Sequence, residues 1–331
     1  MARNTFETAV YTDKFSAQYI RVLIDVPNIQ PYAAGSHGVP YVWEKDSGKP
    51  GPHLMICGIM HGNEICGAHV IKRFLDRDVV PARGKVTYCF GNVDAYHRFD
   101  PENPQWHRFI DADINRIWGK ELDDMSLQGS EHKRARELRP VIDRVDVLLD
   151  IHSFQCRGLP VANPGSRQSA IDLAQRIPHT PLVLSGPKQE SDRIRLLDYE
   201  RFSNPAHGAA ALQIQVGHHW SPESVENGWQ ASLGFLDIHD MLPESLREDY
   251  NPDRQKLNLE VSELIYDYEP SFAFEGDYMN GEFFEKAGTL IATEGEREIR
   301  TPHDNTYLVM PVQYRRLGMT VGRFAREVPI E

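Results

Sequence analysis

The sequence has 331 residues, of which 40% are hydrophobic and 25% are charged, which is typical of a globular protein with one large and one smaller domain. Its formal net charge of -12 argues against a nucleic-acid partner, because only a local basic patch could offset the repulsion from phosphates. There is no apolar run of the roughly 20 residues that a membrane span requires. The N-terminus has no apolar segment typical of a signal peptide, and the four scattered cysteines are typical of buried, reduced thiols. We therefore expect a cytoplasmic protein without a membrane partner.

Segments with strand and helix character alternate along most of the chain. Short apolar runs predict strands at 19–27, 39–43, 52–60, 84–91, 145–151, 181–185 and 209–216. Apolar residues at helical spacing predict helices at 67–76, 130–144 and 166–177, and a further helix that begins after Ser221. Helices between strands imply crossover connections, and therefore an α/β fold whose mixed sheet is covered on both faces. Helical spacing is lost after residue 268, which predicts a large domain at 1–268 and a small β domain at 269–331.

A histidine and a glutamate stand where the strand at 52–60 meets the helix at 67–76. His61 and Glu64 belong to the segment His-Gly-Asn-Glu, directly after the apolar run. The carboxyl ends of strands are where open α/β sheets bind their ligands. An imidazole and a carboxylate are also two of the three protein ligands of many catalytic zinc sites. One His-x-x-Glu arises often by chance, so the pattern alone is a weak signal.

A second histidine follows another predicted strand and strengthens the metal hypothesis. His152 comes directly after 145–151, so we expect it at the same edge of the sheet as His61 and Glu64. Asp150 could orient one of the histidines, as carboxylates near zinc often do. The alternative is a histidine at a strand end that bonds to a loop. Because His61 and Glu64 lie at that edge, we favour a metal site.

The segment 108–116 contains two arginines and an asparagine within a mixed apolar and acidic run. It could be a solvated loop with internal salt bridges. Arginine, however, binds carboxylates through two parallel hydrogen bonds, and it can polarise a carbonyl beside a metal. Arg108, Asn115 and Arg116 are therefore candidate site residues.

These three motifs together resemble the aspartoacylase and succinylglutamate desuccinylase branch of the zinc carboxypeptidase superfamily. The resemblance covers most of the chain and implies a zinc-carboxypeptidase-like three-layer α/β/α domain, followed by a small C-terminal β domain. It also implies that one zinc ion is bound by His61, Glu64 and His152.

The resemblance further implies hydrolysis of an N-acyl amino acid by attack of zinc-bound water on the acyl carbonyl. Arg108 would polarise that carbonyl, and Asn115 and Arg116 would bind a carboxylate of the substrate. A tyrosine of the C-terminal domain would complete the pocket, with Tyr307 and Tyr314 as candidates. For either tyrosine, a place in the core of the β domain is an equally good interpretation.

One position departs from the family pattern. Where the family has a general-base glutamate at the end of a late strand, this chain has Gln215, and an amide does not accept a proton at neutral pH. His218 or His219 could replace the base, since imidazole titrates near neutrality. Zinc alone could also supply hydroxide, because it lowers the pKa of a bound water to about 7.

Two functions follow from the sequence. The first is a zinc-dependent amidohydrolase (deacylase) that acts on a small acylated carboxylate, and it is the one we favour. The second is a zinc- and ligand-binding protein whose catalysis is impaired at Gln215. The sequence names neither the acyl group nor the amine, and a homo-oligomer is compatible with it.

Overall fold

The computed structural model describes residues 21–186, 193–253, 255–312 and 317–329. Among these residues, fourteen strands form: β1 Val42–Asp46, β2 His53–Gly58, β3 Lys85–Phe90, β4 Val147–Phe154, β5 Val161–Asn163, β6 Leu182–Ser185, β7 Ala210–His218, β8 Leu257–Tyr266, β9 Ala273–Phe274, β10 Glu282–Phe284, β11 Leu290–Glu294, β12 Arg297–Arg300, β13 Thr306–Val309 and β14 Thr320–Glu327. The same residues form six α-helices: α1 Cys66–Asp76, α2 Val93–Tyr96, α3 Ser130–Ile142, α4 Gln168–Arg176, α5 Glu200–Ser203 and α6 Pro222–Asp237.

One mixed sheet of eleven strands is the framework, in the order β1-β3-β2-β4-β7-β5-β6-β8-β14-β13-β10. The neighbours β3, β2, β4 and β7 are parallel. Gly58 at the end of β2 lies opposite Ile151 of β4, and His152 lies opposite Gln215 of β7. The carboxyl ends of β2, β4 and β7 therefore meet at one edge of the sheet.

Apolar clusters cover both faces of the central strands. Helices α1, α4 and α6 contribute to one cluster, and α3 and α5 contribute to the other. Leu149 and Ile151 of β4 belong to the first cluster and Leu148 to the second, because successive strand residues point to opposite faces. By the same alternation, Asp150 and His152 share the face of Leu148. The predicted three-layer α/β/α arrangement is confirmed.

Strand β8 joins the α/β part to the antiparallel C-terminal part. It pairs in parallel with β6 along one edge and in antiparallel fashion with β14 along the other. Strands β13 and β10 continue this sheet, while β12, β11 and β9 form a separate sheet of three strands. The C-terminal part is thus a β structure, as predicted. The division at residue 268 stays a prediction, since β8 is shared by both parts.

Most predicted elements form with ends shifted by a few residues. The helix after Ser221 begins as expected, because the Ser221 hydroxyl accepts a hydrogen bond from the backbone N–H of Ser224 and Pro222 occupies the first turn. Pro140 lies near the end of α3, which finishes at Ile142. A proline here removes one helical hydrogen bond without dividing the helix.

The prediction of a strand at 19–27 was wrong. Residues 19 and 20 lie outside the described residues, and 21–27 form no strand. The backbone N–H of Leu23 instead donates to the carbonyl of Trp220, so the segment packs beside α6 rather than in the sheet. The sequence analysis also missed β5 and β8. Strand β5 has three residues, and β8 alternates between buried and exposed positions only in part.

All four cysteines are buried and free, as expected. None of the helices in the described ranges has the length and apolar character that crossing a membrane demands. The cytoplasmic location stays a prediction.

Candidate functional site

The turn after β2 positions His61 and Glu64. Ile59 has a φ of +52°, an unusual conformation for a β-branched residue, and it turns the chain sharply out of the sheet. A side chain at Gly62 would lie 2.4 Å from the backbone carbon of Ala95, so only glycine fits here. The small size of Gly62 also lets the loop at Arg108 contact this turn. The N–H of Gly62 donates to the Arg108 carbonyl at 2.9 Å.

His61, Glu64 and His152 come together as a buried group whose ligand atoms lie within 4.8 Å of one another. Nδ1 of His61 lies 2.8 Å from Oε1 of Glu64, and Nδ1 of His152 lies 3.0 Å from Oε2. Both imidazoles therefore turn the same nitrogen toward one carboxylate. Three ligands of this kind suit a catalytic zinc site, which leaves a further position open.

Two further carboxylates hold the imidazoles in this orientation. Oδ2 of Asp150 lies 2.7 Å from Nε2 of His152, and Oδ1 of Asp113 lies 2.9 Å from Nε2 of His61. An Nε2–H that donates to a carboxylate leaves the Nδ1 lone pair free for a metal, and such partners are common around metal-binding histidines. Asp150 was expected in this role. Asp113 was not, because its distance of 52 residues from His61 hides the contact in the sequence.

The charges around the group fit a cation. Burial alone would raise the pKa of Glu64, but the two imidazoles outweigh it and hold that pKa well below its usual range. For His152, burial lowers the pKa, yet Asp150 and Glu64 raise it to about 10. Nδ1 of His152 is also buried, and although it lies 3.0 Å from Oε2 of Glu64, the two atoms do not have the geometry of a hydrogen bond. The carboxylate of Glu64 and the two Nδ1 atoms that face it are a donor set that a divalent metal would satisfy.

Arg108 contacts this group directly. Its Nη1 donates to Oε1 of Glu64 at 2.9 Å, and its Nη2 lies 2.9 Å from Nε2 of His61. The guanidinium also faces a cavity of about 290 Å³. A fixed positive charge at the wall of this cavity can stabilise negative charge that develops on a substrate.

Asn115 and Arg116 lie in the same cavity wall. Oδ1 of Asn115 accepts a hydrogen bond from the N–H of Leu196 at 2.8 Å, which fixes the amide. Nη1 of Arg116 donates to the Asn115 carbonyl at 2.6 Å. Burial lowers the pKa of Arg116, Asp113 raises it, and Arg108 lowers it further. The guanidinium is half-buried, and an anion in the cavity would complement it.

Gln215 also faces the cavity, at the end of β7 beside His152. Its Oε1 and that of Gln213 are both buried with no hydrogen-bond partner in the described part of the chain. Two unpartnered amide oxygens in one wall are costly unless water or a ligand satisfies them. Position 215, where the resemblance leads us to expect a glutamate, is therefore occupied by a neutral amide that faces the cavity.

The two histidines after β7 differ in position. His219 lines the cavity, and its Nδ1 lies 2.7 Å from Oγ of Ser153. His218 is not among the lining residues; its ring packs against Trp220, with ring centroids 5.4 Å apart. Burial is the main cause that lowers the pKa of His219 to about 3 and that of His218 to about 4. Of the two candidate bases, the geometry favours His219.

Tyr307 stands apart from the cavity. It lies in β13 beside Phe283, with ring centroids 5.0 Å apart, and it packs against an apolar cluster that residues of both the α/β part and the C-terminal part form. The other candidate, Tyr314, lies outside the described residues. The C-terminal part contributes a different set of residues to the cavity wall: Met310, Val312, Met319, Thr320, Val321 and Arg323.

Glu131 anchors the loop that carries Arg108 and Asp113, and the sequence analysis did not single it out. Its buried carboxylate accepts hydrogen bonds from the Nδ2 of Asn92 and from the backbone N–H groups of Ile110, Asp111 and Ala112, at 2.6 to 3.2 Å. An acidic residue in the first turn of α3 also interacts favourably with the helix dipole. In the sequence, Glu131 is therefore indistinguishable from an ordinary residue at a helix start.

We expect Glu131→Ala to lower the free energy of unfolding by about 3 kcal/mol or more, because four donors lose a charged acceptor. The midpoint of urea unfolding measures this change. Lys133→Ala, at an exposed position of the same helix, is the matched control and should shift the midpoint by little. Equal midpoints for the two variants would show that Glu131 does not hold the loop.

A three-layer α/β domain with a His–Glu–His group at the carboxyl edge of its sheet is an arrangement suited to a metallohydrolase. Residues 50–164 match the model of the family described as succinylglutamate desuccinylase/aspartoacylase catalytic domain. The resemblance to this family that the sequence shows is confirmed for these residues.

Solved structures show the same fold. The succinylglutamate desuccinylase from Vibrio cholerae has a TM-score of 0.64 and 17% identity, covering 88% of this chain and 87% of that one. The product-bound ectoine utilization protein EutE (DoeB) from Ruegeria pomeroyi has a TM-score of 0.62 and 15% identity, covering 86% and 87%. An aspartoacylase family protein from Mesorhizobium loti has a TM-score of 0.60 and 18% identity, covering 87% and 89%. No curated protein matches the sequence.

Proposed function

We propose that this protein is a zinc-dependent deacylase that hydrolyses an amide bond of a small N-acyl amino acid or a related acylated carboxylate. The observation that carries the proposal is the shared cavity of about 290 Å³, which is lined by His61 and Glu64 of the candidate metal group and by Arg116. A hydrolase for an acylated carboxylate requires both a metal group and a carboxylate-binding arginine, close enough for one small molecule to contact both.

The arginine-rich loop would position the substrate. Arg116 and Asn115 would bind its carboxylate, since a guanidinium and an amide NH₂ are both donors to carboxylate oxygens. Arg108, which lies 2.9 Å from Glu64, would then face the scissile carbonyl. The charge of Arg108 would stabilise the oxygen as it becomes negative.

His61, Glu64 and His152 would hold the zinc ion, and Asp113 and Asp150 would keep the two imidazoles in the required orientation. When bound, zinc would supply a Lewis acid that polarises the carbonyl and increases the acidity of water. The buried position of all three ligands would exclude bulk water from them.

The residues of the cavity are least suited to accepting a proton from the attacking water. Gln215 lies where a base would be expected, and its amide does not take up a proton at neutral pH. His219 is closer to the cavity than His218, but burial lowers its pKa to about 3, so it is neutral and a weak base. This observation favours a second candidate function, a zinc- and ligand-binding protein with impaired catalysis.

Release of amine from a panel of N-acyl amino acids, measured with zinc-loaded protein, tests the proposal. His61→Ala, prepared identically, gives the background. Turnover well above that background supports the deacylase. If zinc is bound and no panel member is hydrolysed, the binding function replaces it.

For any panel member that is hydrolysed, we expect Arg116→Ala to raise KM by about tenfold or more with kcat nearly unchanged, because the lost contact is with a group remote from the reacting bond. Steady-state kinetics separate the two constants. Arg98→Ala removes an exposed arginine that does not line the cavity and serves as the control. An unchanged KM in Arg116→Ala would remove the carboxylate-binding role.

A further inference from the structure

Two of the four cysteines lie directly opposite each other in the sheet. Cys57 of β2 and Cys89 of β3 are register partners in a parallel pair, and both are buried and free. Their side chains lie on the same face of the sheet, because both belong to the apolar cluster to which α3 and α5 contribute. The hydrogen bond between the two thiols, followed by burial, holds the pKa of Cys57 well above its usual range. Neither cysteine belongs to the candidate metal group or to the cavity wall described above.

The spacing of the strands decides what this pair of thiols can bind. Neighbouring strands lie about 4.8 Å apart, and the side chains of register partners in a parallel pair extend in the same direction. A disulfide requires Cβ atoms only about 3.8 Å apart, so it would pull the two strands together. Two sulfurs on opposite sides of one metal ion are about 4.6 Å apart, for a metal–sulfur distance of roughly 2.3 Å. The spacing therefore suits a bridging ion better than a direct S–S bond.

Thioether sulfurs lie in the same part of the core. Met55 and Met60 belong to the apolar cluster that contains both cysteines. Sδ of Met60 lies 2.6 Å from the place that a Cβ at Gly91 would occupy, so this glycine leaves room for a thioether at the end of β3. Thiolates and thioethers are soft ligands that select Cu(I), whereas a structural zinc site requires four ligands. Two thiols among thioethers are therefore better suited to Cu(I) than to zinc.

A buried positive charge accompanies the thiols. Arg134 of α3 is 9% exposed, and its guanidinium donates to the carbonyls of residues 90 and 91 at 2.8 Å, at the end of β3. It also pairs with Glu137, whose side chain is 53% exposed and therefore well solvated. Asp150 adds to the causes that raise the pKa of Cys57, and the charge of Arg134 lowers that pKa. Two thiolates around one Cu(I) carry one net negative charge, which a buried guanidinium offsets.

We propose that Cys57 and Cys89 form a binding site for Cu(I), in which the ion lies between the two thiolates and the thioether of Met60 lies beside them. Binding releases the two thiol protons to solvent. Because both thiols are buried, the ion enters only when the cover of the strands opens locally, so binding is slow. The site is separate from the His–Glu–His group and does not rest on the deacylase function proposed above.

Competition with a chromogenic Cu(I) chelator, under nitrogen and with zinc-loaded protein, tests the site. Zinc occupies the candidate metal group, so its imidazoles do not compete for copper. We expect one Cu(I) per chain and a thiolate-to-copper charge-transfer band in the ultraviolet. Cys57→Ala and Cys89→Ala should each weaken binding by about a hundredfold or more, because each removes one of the two thiolates.

Cys156→Ala is the matched control. Cys156 is also a buried, free thiol, but it belongs to a different apolar cluster. This variant should keep the affinity of the parent for Cu(I), and thermal midpoints without copper verify that all three variants fold. X-ray absorption at the copper edge of the parent requires no variant and should show only sulfur neighbours around the ion.

A parent protein that binds no Cu(I) would overturn the proposal. Equal affinities of the parent, Cys57→Ala and Cys89→Ala would also overturn it, as would an equal loss in Cys156→Ala. Nitrogen or oxygen neighbours around copper would place the ion elsewhere, with the same consequence. None of these outcomes bears on the deacylase, because its hydrolysis is measured without copper.

Discussion

Replacing Gln215 by glutamate is expected to raise the rate of amide hydrolysis by about 10²–10⁴-fold, the usual contribution of a positioned general base. Gln215 lies opposite His152 in the sheet, and its side chain faces the cavity. The substitution changes an NH₂ to an oxygen without altering the size of the side chain. A carboxylate at this position could accept a proton where the amide cannot.

Gln213→Glu is the matched control for this experiment. Gln213 lies in the same strand and lines the same cavity, and its amide oxygen likewise has no hydrogen-bond partner among the described residues, but it lies opposite Asp150 rather than His152. The kcat of both variants is measured on the panel substrate that gives the highest signal. A gain in Gln215→Glu alone supports an active site that lacks only its base. No gain, or an equal gain in the two variants, would mean that position 215 is not the missing base.

Replacing His152 by alanine is expected to weaken zinc binding by about a hundredfold or more, because one of three protein ligands is lost. Zinc content after dialysis and titration against a chromogenic chelator measure the change, and any hydrolysis should fall with the zinc content. Because His152 is buried, its replacement by alanine leaves a buried cavity, which strengthens the expected loss of zinc affinity.

His53→Ala provides the control for zinc binding. His53 begins β2, at the edge of the sheet opposite His61, and its Nε2 lies 2.7 Å from the hydroxyl of Thr87. It should keep the zinc content of the parent. If His152→Ala also keeps it, the three-residue metal group is not the site of zinc binding.

The sequence was sufficient for the elements that local pattern determines. His61 follows the strand β2 and His152 lies near the end of β4, and parallel strands bring their carboxyl ends to one edge, so the proximity of the two histidines could be predicted from strands alone. The family resemblance identified Gln215, and the capping pattern of Ser221 and Pro222 identified the start of α6. Glycine at position 62 marked the turn, although its reason, the close approach of the backbone at Ala95, needed the structure.

Contacts between distant segments could not be predicted in this way. Asp113 reaches His61, Glu131 reaches the backbone at 110–112 and Arg323 reaches the cavity from the C-terminal part, and no local periodicity records any of these contacts. Strand β8 was missed for a related reason. Strand β6 pairs only with the first residues of β8, whereas β14 pairs with most of its length. The burial pattern of β8 therefore changes along the strand and shows no regular alternation.

The eleven-stranded sheet has a consequence for how this protein can change in evolution. Because β14 is hydrogen-bonded along β8, and β8 along β6, a substitution in the C-terminal part acts on the same sheet whose edge holds the candidate metal ligands. A chain that ended after β8 would expose a long, unpaired edge, which is a template for aggregation. The C-terminal strands can therefore be varied in sequence but not discarded, and residues of β14 in the cavity wall, such as Thr320 and Val321, can change while His61, Glu64 and His152 stay the same.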